Sequence, residues 1–336
     1  MTALDPQPRL LYIGNFRPAH STENHIARSF ASLGWDVLPV QEDEVAGAWG
    51  SLHERAHQAD LVLYTRTQSM GLTKHKADTL WASLEANGVP TASVHLDKFV
   101  GLDRETLVHA GDPLFTTRFV FTADGDPHPW ARWGVRHQWL RAGVLADECK
   151  PGAVDGRWAG HDVAFVGTSV RYHREWKYRE RMLAAMQAEF GDRLLIVPRP
   201  GKPAVRGWAL NDLYATVPVV IGDSLSIERE RSRFWSDRAY ETCGRGGFLV
   251  HPRIDALRAE LAAVESIRWY EWNDFDGLAS QVHDLVDLFK ADPERRRMAV
   301  EQGSAWVRDN CSYAVRVAEM LDTIGLPYCA PCLNAA

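Results

Sequence analysis

The chain has 336 residues, of which 46% are hydrophobic and 24% are charged, and its formal net charge is -6 at pH 7. This composition is typical of a soluble globular protein long enough for two domains of ordinary size. The acidic balance argues against general attraction to nucleic acid or an anionic membrane. The first residues lack the charged and then apolar pattern of a signal peptide, and no apolar run is long enough to span a bilayer, so we expect a cytoplasmic protein.

The first half of the chain alternates short apolar segments with longer amphipathic ones. Residues 9–14 predict a buried strand, and 22–34 predict a helix whose apolar side chains share one face. The same pattern continues with predicted strands at 36–40, 60–65, 91–96 and 118–123 and a predicted helix at 74–87. Short β-rich segments separated by helices are typical of a parallel α/β sheet.

The alternation weakens between about residues 140 and 160, and the glycine-rich segment 150–160 is interpreted as a linker; the alternation then starts again. The second half has predicted strands at 161–169, 193–198, 217–222 and 247–252, and predicted helices at 172–190, 235–243 and over most of the last hundred or so residues. We therefore predict an α/β protein with two doubly wound, Rossmann-like domains that face each other across a cleft. The domains are placed at 1–150 and 151–322, with a tail at 323–336 whose Cys329 and Cys332 are interpreted as solvated.

Ligands of doubly wound sheets bind where the strands end, so the residues directly after each predicted strand are candidates for a site. In the first half these are Gly14, Asn15, Arg66, His95, Asp97, Asp124 and Asp126. In the second half they are Thr168, Arg174, Arg199 and Ser224. Small residues in a turn followed by arginines suit a phosphate group. Neither a GxGxxG nor a GxxxxGK[ST] motif is present, which argues against a nicotinamide, flavin or P-loop enzyme.

The segment SDRAYETCGRGGFLVHP, residues 236–252, carries the most specific pattern. Arg238 and Glu241 lie one helical turn apart on one face, and Gly246 and Gly247 follow just before a strand. This pattern resembles the two-domain glycosyltransferases of the GT-B fold, in particular the glycosyltransferase-like group that includes spore maturation protein CgeB. The resemblance is strong over 160–322 and only topological before about residue 90.

The resemblance implies transfer of a sugar from a nucleotide diphosphate donor, of the UDP type, to a hydroxyl acceptor. It places the donor on the C-terminal domain and the acceptor on the N-terminal one, with the C-terminal helix crossing back. It implies that Glu241 holds the ribose hydroxyls and Arg238 lies near the diphosphate or sugar. Gly246 and Gly247 would allow close backbone approach. The further donor-binding candidates are Gly14, Asn15, Thr168, Arg174, Arg199 and Ser224.

His95 and Asp97 are the candidate catalytic residues on the acceptor side. They alternate around Leu96 at the end of a predicted strand, so we expect their side chains to share one side. A histidine with an ordinary pKa near 6.5 can accept the acceptor proton or orient the sugar. The further acceptor-side candidates are Arg66, Asp124 and Asp126. Because arginines and a helix N-terminus can offset the charge of the leaving diphosphate, we expect no bound metal and no other cofactor.

One departure from the family pattern leaves alternatives open. Many retaining relatives carry a glutamate eight positions before the ribose-binding one, where this chain has Arg233. The identity of the donor sugar and the retention of configuration are therefore open, and a catalytically degenerate nucleotide-binding protein is an alternative. A nucleotide-sugar epimerase of the GT-B fold is a second alternative. The acceptor is open among protein, lipid, small molecule, polysaccharide and DNA, with DNA disfavoured by the net charge.

Overall fold

The computed structural model describes residues 7–168, 176–198 and 202–329. The chain forms two compact units, one of Met1–Ala142 with Tyr313–Ala336 and the other of Gly143–Ser312. The last helix therefore returns to the first unit, which confirms the expected crossing of the C-terminal helix.

The first unit is built on a parallel sheet with the strand order β2-β1-β3-β4-β5-β6. Its strands are β1 (Arg9–Gly14), β2 (Asp36–Gln41), β3 (Leu61–Tyr64), β4 (Thr91–His95), β5 (Phe119–Thr122) and β6 (His137–Trp139). The chain moves from β1 to one neighbour, β2, and then to the opposite neighbour, β3, so the strand order reverses beside β1.

The helices of the first unit are α1 (Thr22–Ser32), α2 (Trp49–Ala56), α3 (Lys74–Ala86), α4 (Glu105–His109), α5 (Pro127–Arg132) and α12 (Tyr313–Ile324). The hydroxyl of Ser21 accepts from the amide of Asn24 and so caps α1, and Thr73 caps α3 in the same way. Alternate residues of β1 point to opposite faces of the sheet, and both sets are buried under helices.

The second unit contains a five-stranded parallel sheet with the order β11-β10-β9-β7-β8. Its strands are β7 (Val163–Val166), β8 (Leu194–Val197), β9 (Val219–Ile221), β10 (Leu249–Pro252) and β11 (Ile267–Tyr270). Its helices are α6 (Tyr178–Phe190), α7 (Trp208–Thr216), α8 (Arg238–Gly244), α9 (Asp255–Glu260), α10 (Phe275–Ala291) and α11 (Pro293–Cys311). The chain moves from β7 to β8 on one side and to β9 on the other, so the strand order reverses between β7 and β9.

The strands predicted from the sequence are all present, and each differs from its predicted bounds by a few residues at most. The predictions missed β6 and β11, whose outward residues are polar or exposed. Of the predicted helix 172–190, residues 178–190 are helical, and 172–175 lie outside the described residues. In the parts of the chain that the structure describes, every helix is too short or too polar to cross a bilayer.

Candidate active site

The reversal of strand order in the second unit brings two short turns together. Gly167 and Thr168 follow β7, and Gly222 and Asp223 follow β9, which is hydrogen-bonded to β7. Gly167 has a φ of +153°, a conformation that side chains with a Cβ rarely adopt. Both turns lie at the carboxyl ends of parallel strands, where doubly wound sheets bind ligands.

A buried ion pair connects these two turns. The Nε atom of Arg179 donates to Oδ1 of Asp223 at 2.8 Å, and its Nη1 atom donates to the carbonyl of Thr168 at 2.9 Å. Trp176 donates its indole N–H to the other oxygen of the same carboxylate at 3.0 Å. The sequence predictions did not assign a role to Arg179, although an arginine in the first turn of a helix that follows such a turn was the available signal.

Ser224 was predicted to bind the donor, but its side chain is fully buried. Its hydroxyl lies 3.1 Å from Nε2 of His251 and accepts from the amide of Ser236 at 3.2 Å. Burial lowers the pKa of His251 to about 4, so the imidazole is neutral near pH 7. Through these bonds Ser224 holds the segment that precedes α8. We therefore do not include its side chain in the donor site.

Arg238 and Glu241 form an ion pair on the exposed side of α8, as their spacing predicts. Their side chains keep 18% and 13% of their surface accessible. The other oxygen of the Glu241 carboxylate lies 3.4 Å from Nε of Arg245, so the carboxylate lies between two guanidinium groups. Burial lowers the pKa of Arg238, but the charges of Glu241 and Asp237 and the contact with Tyr214 together outweigh burial, so the pKa lies above its usual value.

Gly246 and Gly247 have reasons to be glycine that involve no ligand. Gly246 has a φ of +80°, and a Cβ there would lie 2.6 Å from the Cα of Pro151. A Cβ on Gly247 would lie 2.6 Å from the Cγ2 of Thr242. The pair joins the end of α8 to the start of β10, at the amino ends of the strands. The expectation of close backbone approach to the donor is therefore replaced by a packing role.

Two of the predicted donor residues, Arg174 and Arg199, lie outside the described residues. Thr168 is exposed, and its carbonyl is fixed by Arg179. Its hydroxyl can therefore face a ligand while its backbone is held by the buried ion pair.

On the first unit, β4 ends at His95, and Asp97 lies in the bend beyond it. The expected strand alternation therefore does not extend to Asp97. Its carboxylate is 56% exposed and pairs with Arg104 at 2.9 Å. Its amide N–H nevertheless donates to Nδ1 of His95 at 3.2 Å, so the two residues are linked through the backbone.

The imidazole of His95 is a hydrogen-bond donor at Nε2 in this arrangement, because a neutral ring whose Nδ1 accepts carries its proton on Nε2. Burial lowers the pKa of His95, and the charge of Asp97 opposes this only in part. The ring packs edge-on against Phe99, with the ring centroids 4.8 Å apart. His95 is thus neutral near pH 7 and oriented.

The turn after β1 contains Gly14 and Asn15 and is held by neighbouring side chains. A Cβ on Gly14 would lie 2.8 Å from Cγ of Glu23, so glycine lets α1 pack against the strand end. Gln41, at the end of β2, donates to Oδ1 of Asn15 at 3.2 Å and accepts from the amide of Phe16 at 3.0 Å. The turn lies where the strand order reverses in the first unit.

The three predicted acceptor-side residues have different surroundings. Asp124 is buried and accepts from the amides of Phe99 and Val100, so its carboxylate holds the segment after Asp97 and is not available to an acceptor. Asp126 caps α5 by accepting from the amide N–H of His128. Arg66 is part-exposed and pairs with Asp112 at 2.8 Å.

The family comparison covers the part of the chain that holds most of this site. Residues 156–322 match the model of a family described as glycosyl transferase-like. The chain carries a glycosyl transferase-like domain. This domain includes Thr168, Arg179, Asp223, Arg238 and Glu241, so the polar groups at the reversal of strand order belong to the matched region. No curated protein sequence matches the chain.

Solved structures that are similar over nearly the whole chain share little sequence identity with it. Sucrose-phosphate synthase from Thermosynechococcus elongatus is 11% identical, with a TM-score of 0.55 over 95% of this chain and 99% of its own. HepE from Anabaena, in complex with UDP and glucose, is 10% identical, with a TM-score of 0.59 over 95% of this chain and 99% of its own. An alpha-glucosyltransferase in complex with UDP-glucose and DNA containing an abasic site is 8% identical, with a TM-score of 0.59 over 94% of this chain and 98% of its own.

These similarities establish the fold of the chain as GT-B, in which the glycosyl transferase-like domain is one of two Rossmann-like units. The expected fold class is confirmed. The narrower grouping with CgeB stays a prediction.

Proposed function

We propose that this protein transfers a sugar from a UDP-type nucleotide sugar to a hydroxyl group of an acceptor, without a bound metal. The glycosyl transferase-like domain supports sugar transfer. The presence of UDP with glucose, and of UDP-glucose, in complexes of HepE supports a UDP-type donor.

The observation that carries the proposal is the position of Glu241 on α8. Its carboxylate is part-exposed, and α8 is the first α-helix after β9. A carboxylate at this position can accept hydrogen bonds from both ribose hydroxyls of a nucleotide. Arg238 and Arg245 already balance the negative charge of this carboxylate.

Arg238 supplies positive charge on the same part-exposed face of α8. A guanidinium can donate two parallel bonds to a phosphate, and it stays charged near pH 7. When the sugar–oxygen bond breaks, negative charge accumulates on the leaving diphosphate. We propose that Arg238, with Thr168 and the predicted Arg174 and Arg199, stabilises that charge, which is why we expect no metal to be required.

On the acceptor side, His95 would orient a hydroxyl group and would not take the proton of the acceptor. The acceptor oxygen attacks the anomeric carbon, the bond from that carbon to the diphosphate oxygen breaks, and the acceptor proton leaves. Because Nε2 of His95 carries a proton, we propose that it donates to a hydroxyl of the sugar or acceptor. The proton would then pass to Asp97 or to an oxygen of the donor phosphate.

Binding and turnover are tested separately. Thermal shift and calorimetry with UDP, GDP, ADP and TDP identify the nucleotide; a ligand at a hundred times its Kd should stabilise the protein by roughly 2.7 kcal/mol. Incubation with the matching nucleotide sugar and an acceptor panel then yields a glycosylated acceptor. A free epimerised sugar would instead establish the epimerase alternative, and binding without turnover would establish the degenerate one. No binding to any nucleotide would refute the proposal.

A further inference from the structure

Arg245 ends helix α8 of the second unit and is buried among polar groups. Its side chain is 3% exposed and forms an ion pair with the Glu148 carboxylate. One Nη atom donates to Oδ1 of Asn211 at 2.8 Å and to the carbonyl of Gly207 at 3.2 Å. These partners come from the segment before β7 and from the start of α7, so the guanidinium is held from several directions.

The remaining nitrogen of this guanidinium faces Glu241. Nε of Arg245 lies 3.4 Å from Oε1 of Glu241, and it is buried without a hydrogen bond. Because its other nitrogens are held by Glu148, Asn211 and Gly207, the guanidinium keeps its positive charge close to the Glu241 carboxylate. Arg238, on the opposite side of the same carboxylate, is more accessible and is not anchored by a second carboxylate among its described ion pairs.

We propose that Arg245 is a positioning residue for Glu241: it is the fixed counter-charge that keeps this carboxylate oriented toward the ribose while Arg238 engages the diphosphate. This inference rests on the proposed function. Because Glu148, Asn211 and Gly207 hold the Arg245 guanidinium, its contact with Glu241 stays in place when a ligand draws Arg238 away.

Glu148 sets the position of Arg245 in this arrangement. Asn211 supports the same segment, since its side-chain amide donates to the carbonyls of Glu148 and Lys150. The segment that precedes β7 is therefore coupled to the ribose end of the site through Glu148, Arg245 and Glu241 in turn.

The test measures ribose recognition in the full-length protein. Calorimetry gives the Kd of UDP and of 2′,3′-dideoxyuridine diphosphate, and the ratio of the two is the ribose preference. We expect a preference of tenfold or more in the wild type. This ribose preference should fall at least fivefold in Arg245→Gln. It should fall by less in Arg245→Lys, which keeps the positive charge but loses the several donors of the planar guanidinium. Glu148→Gln, a milder change, should also lower it if Arg245→Gln does not fold.

Arg296→Lys is the matched control. Arg296 is a mostly buried arginine of the same unit, but it donates only to carbonyls at the end of α7, to Tyr214, Ala215, Val217 and Pro218. The Arg296→Lys substitution should lower the melting temperature and leave the ribose preference unchanged. If Arg245 had only a general structural role, its variants would likewise change the melting temperature and not the ribose preference.

The double variant Glu241→Gln with Arg245→Gln tests whether Arg245 acts on ribose binding through Glu241 or independently of it. Its ribose preference should equal that of Glu241→Gln alone, because Arg245 acts through Glu241. A wild-type protein that binds no UDP, or binds it without ribose preference, would overturn the proposed donor site and this inference with it. A wild-type preference that survives intact in the folded Arg245 and Glu148 variants would overturn this inference alone.

Discussion

Replacing Glu241 by glutamine tests the proposed donor site with a small perturbation. The substitution keeps the size of the side chain and removes its charge. Arg238 then loses its ion-pair partner, while Arg245 keeps Glu148 and its other bonds. Because Arg238 is part-exposed and can be solvated, we expect the second unit to stay folded.

The expected loss of affinity follows from the bonds that the carboxylate would make. A hydrogen bond to a charged group contributes roughly 1.5–3 kcal/mol. A glutamine retains one carbonyl oxygen, so it can still accept from one hydroxyl as a neutral group. The net loss is therefore about the value of one charged bond, which corresponds to a rise in the Kd of UDP of roughly 10- to 150-fold.

Calorimetry with UDP measures this change, and circular dichroism and the melting temperature check that the variant is folded. Glu265→Gln is the control, because Glu265 is an exposed glutamate of the same unit. An unchanged Kd in a folded Glu241→Gln protein would refute the assignment of this carboxylate to the ribose. An equal rise in the control would indicate a general effect of net charge instead.

Three further predictions concern other parts of the protein. Arg238→Ala and Arg174→Ala should each weaken binding of UDP far more than binding of uridine, because their charge acts on the diphosphate; equal losses for both ligands in calorimetry would exclude that role. His95→Ala, which removes the orienting hydrogen bond, and Asp97→Asn, which removes a proton acceptor, should each lower turnover by roughly a hundredfold or more with donor affinity nearly intact; near wild-type rates for both in a product assay would show that other residues bind and activate the acceptor. His251, whose pKa burial lowers from 6.5 to about 4, is protonated in the unfolded chain at a higher pH than in the folded one, so its contribution to stability is complete above about pH 6.5 and is lost as the pH falls toward 4. Denaturant unfolding should show a decline of up to about 3 kcal/mol over this range that is absent in His251→Gln, and parallel curves for the two proteins would contradict the neutral buried imidazole.

The sequence by itself was enough to predict the parallel α/β architecture and the positions of most strands. Those strands are buried on both faces, so they appear as continuous apolar segments, and turn residues mark their ends. The pairing of Arg238 with Glu241 was also predictable, because residues three apart on a helix are neighbours in any fold. Strands β6 and β11 escaped prediction because they lie at sheet edges and carry exposed polar residues, which removes the apolar signal.

Which polar groups face a ligand and which hold the structure was decided only by tertiary packing. Asp124 and Ser224 follow strands as a site residue would, yet long-range contacts bury them. Arg245 pairs with Glu148, which is 97 residues away in the sequence, and Arg179 pairs with Asp223, which is 44 residues away. A local sequence pattern cannot predict pairs at such separations. Local spacing determines the elements of this protein, because helices and strands form from near neighbours. The burial and partners of its charged groups depend on how distant elements pack.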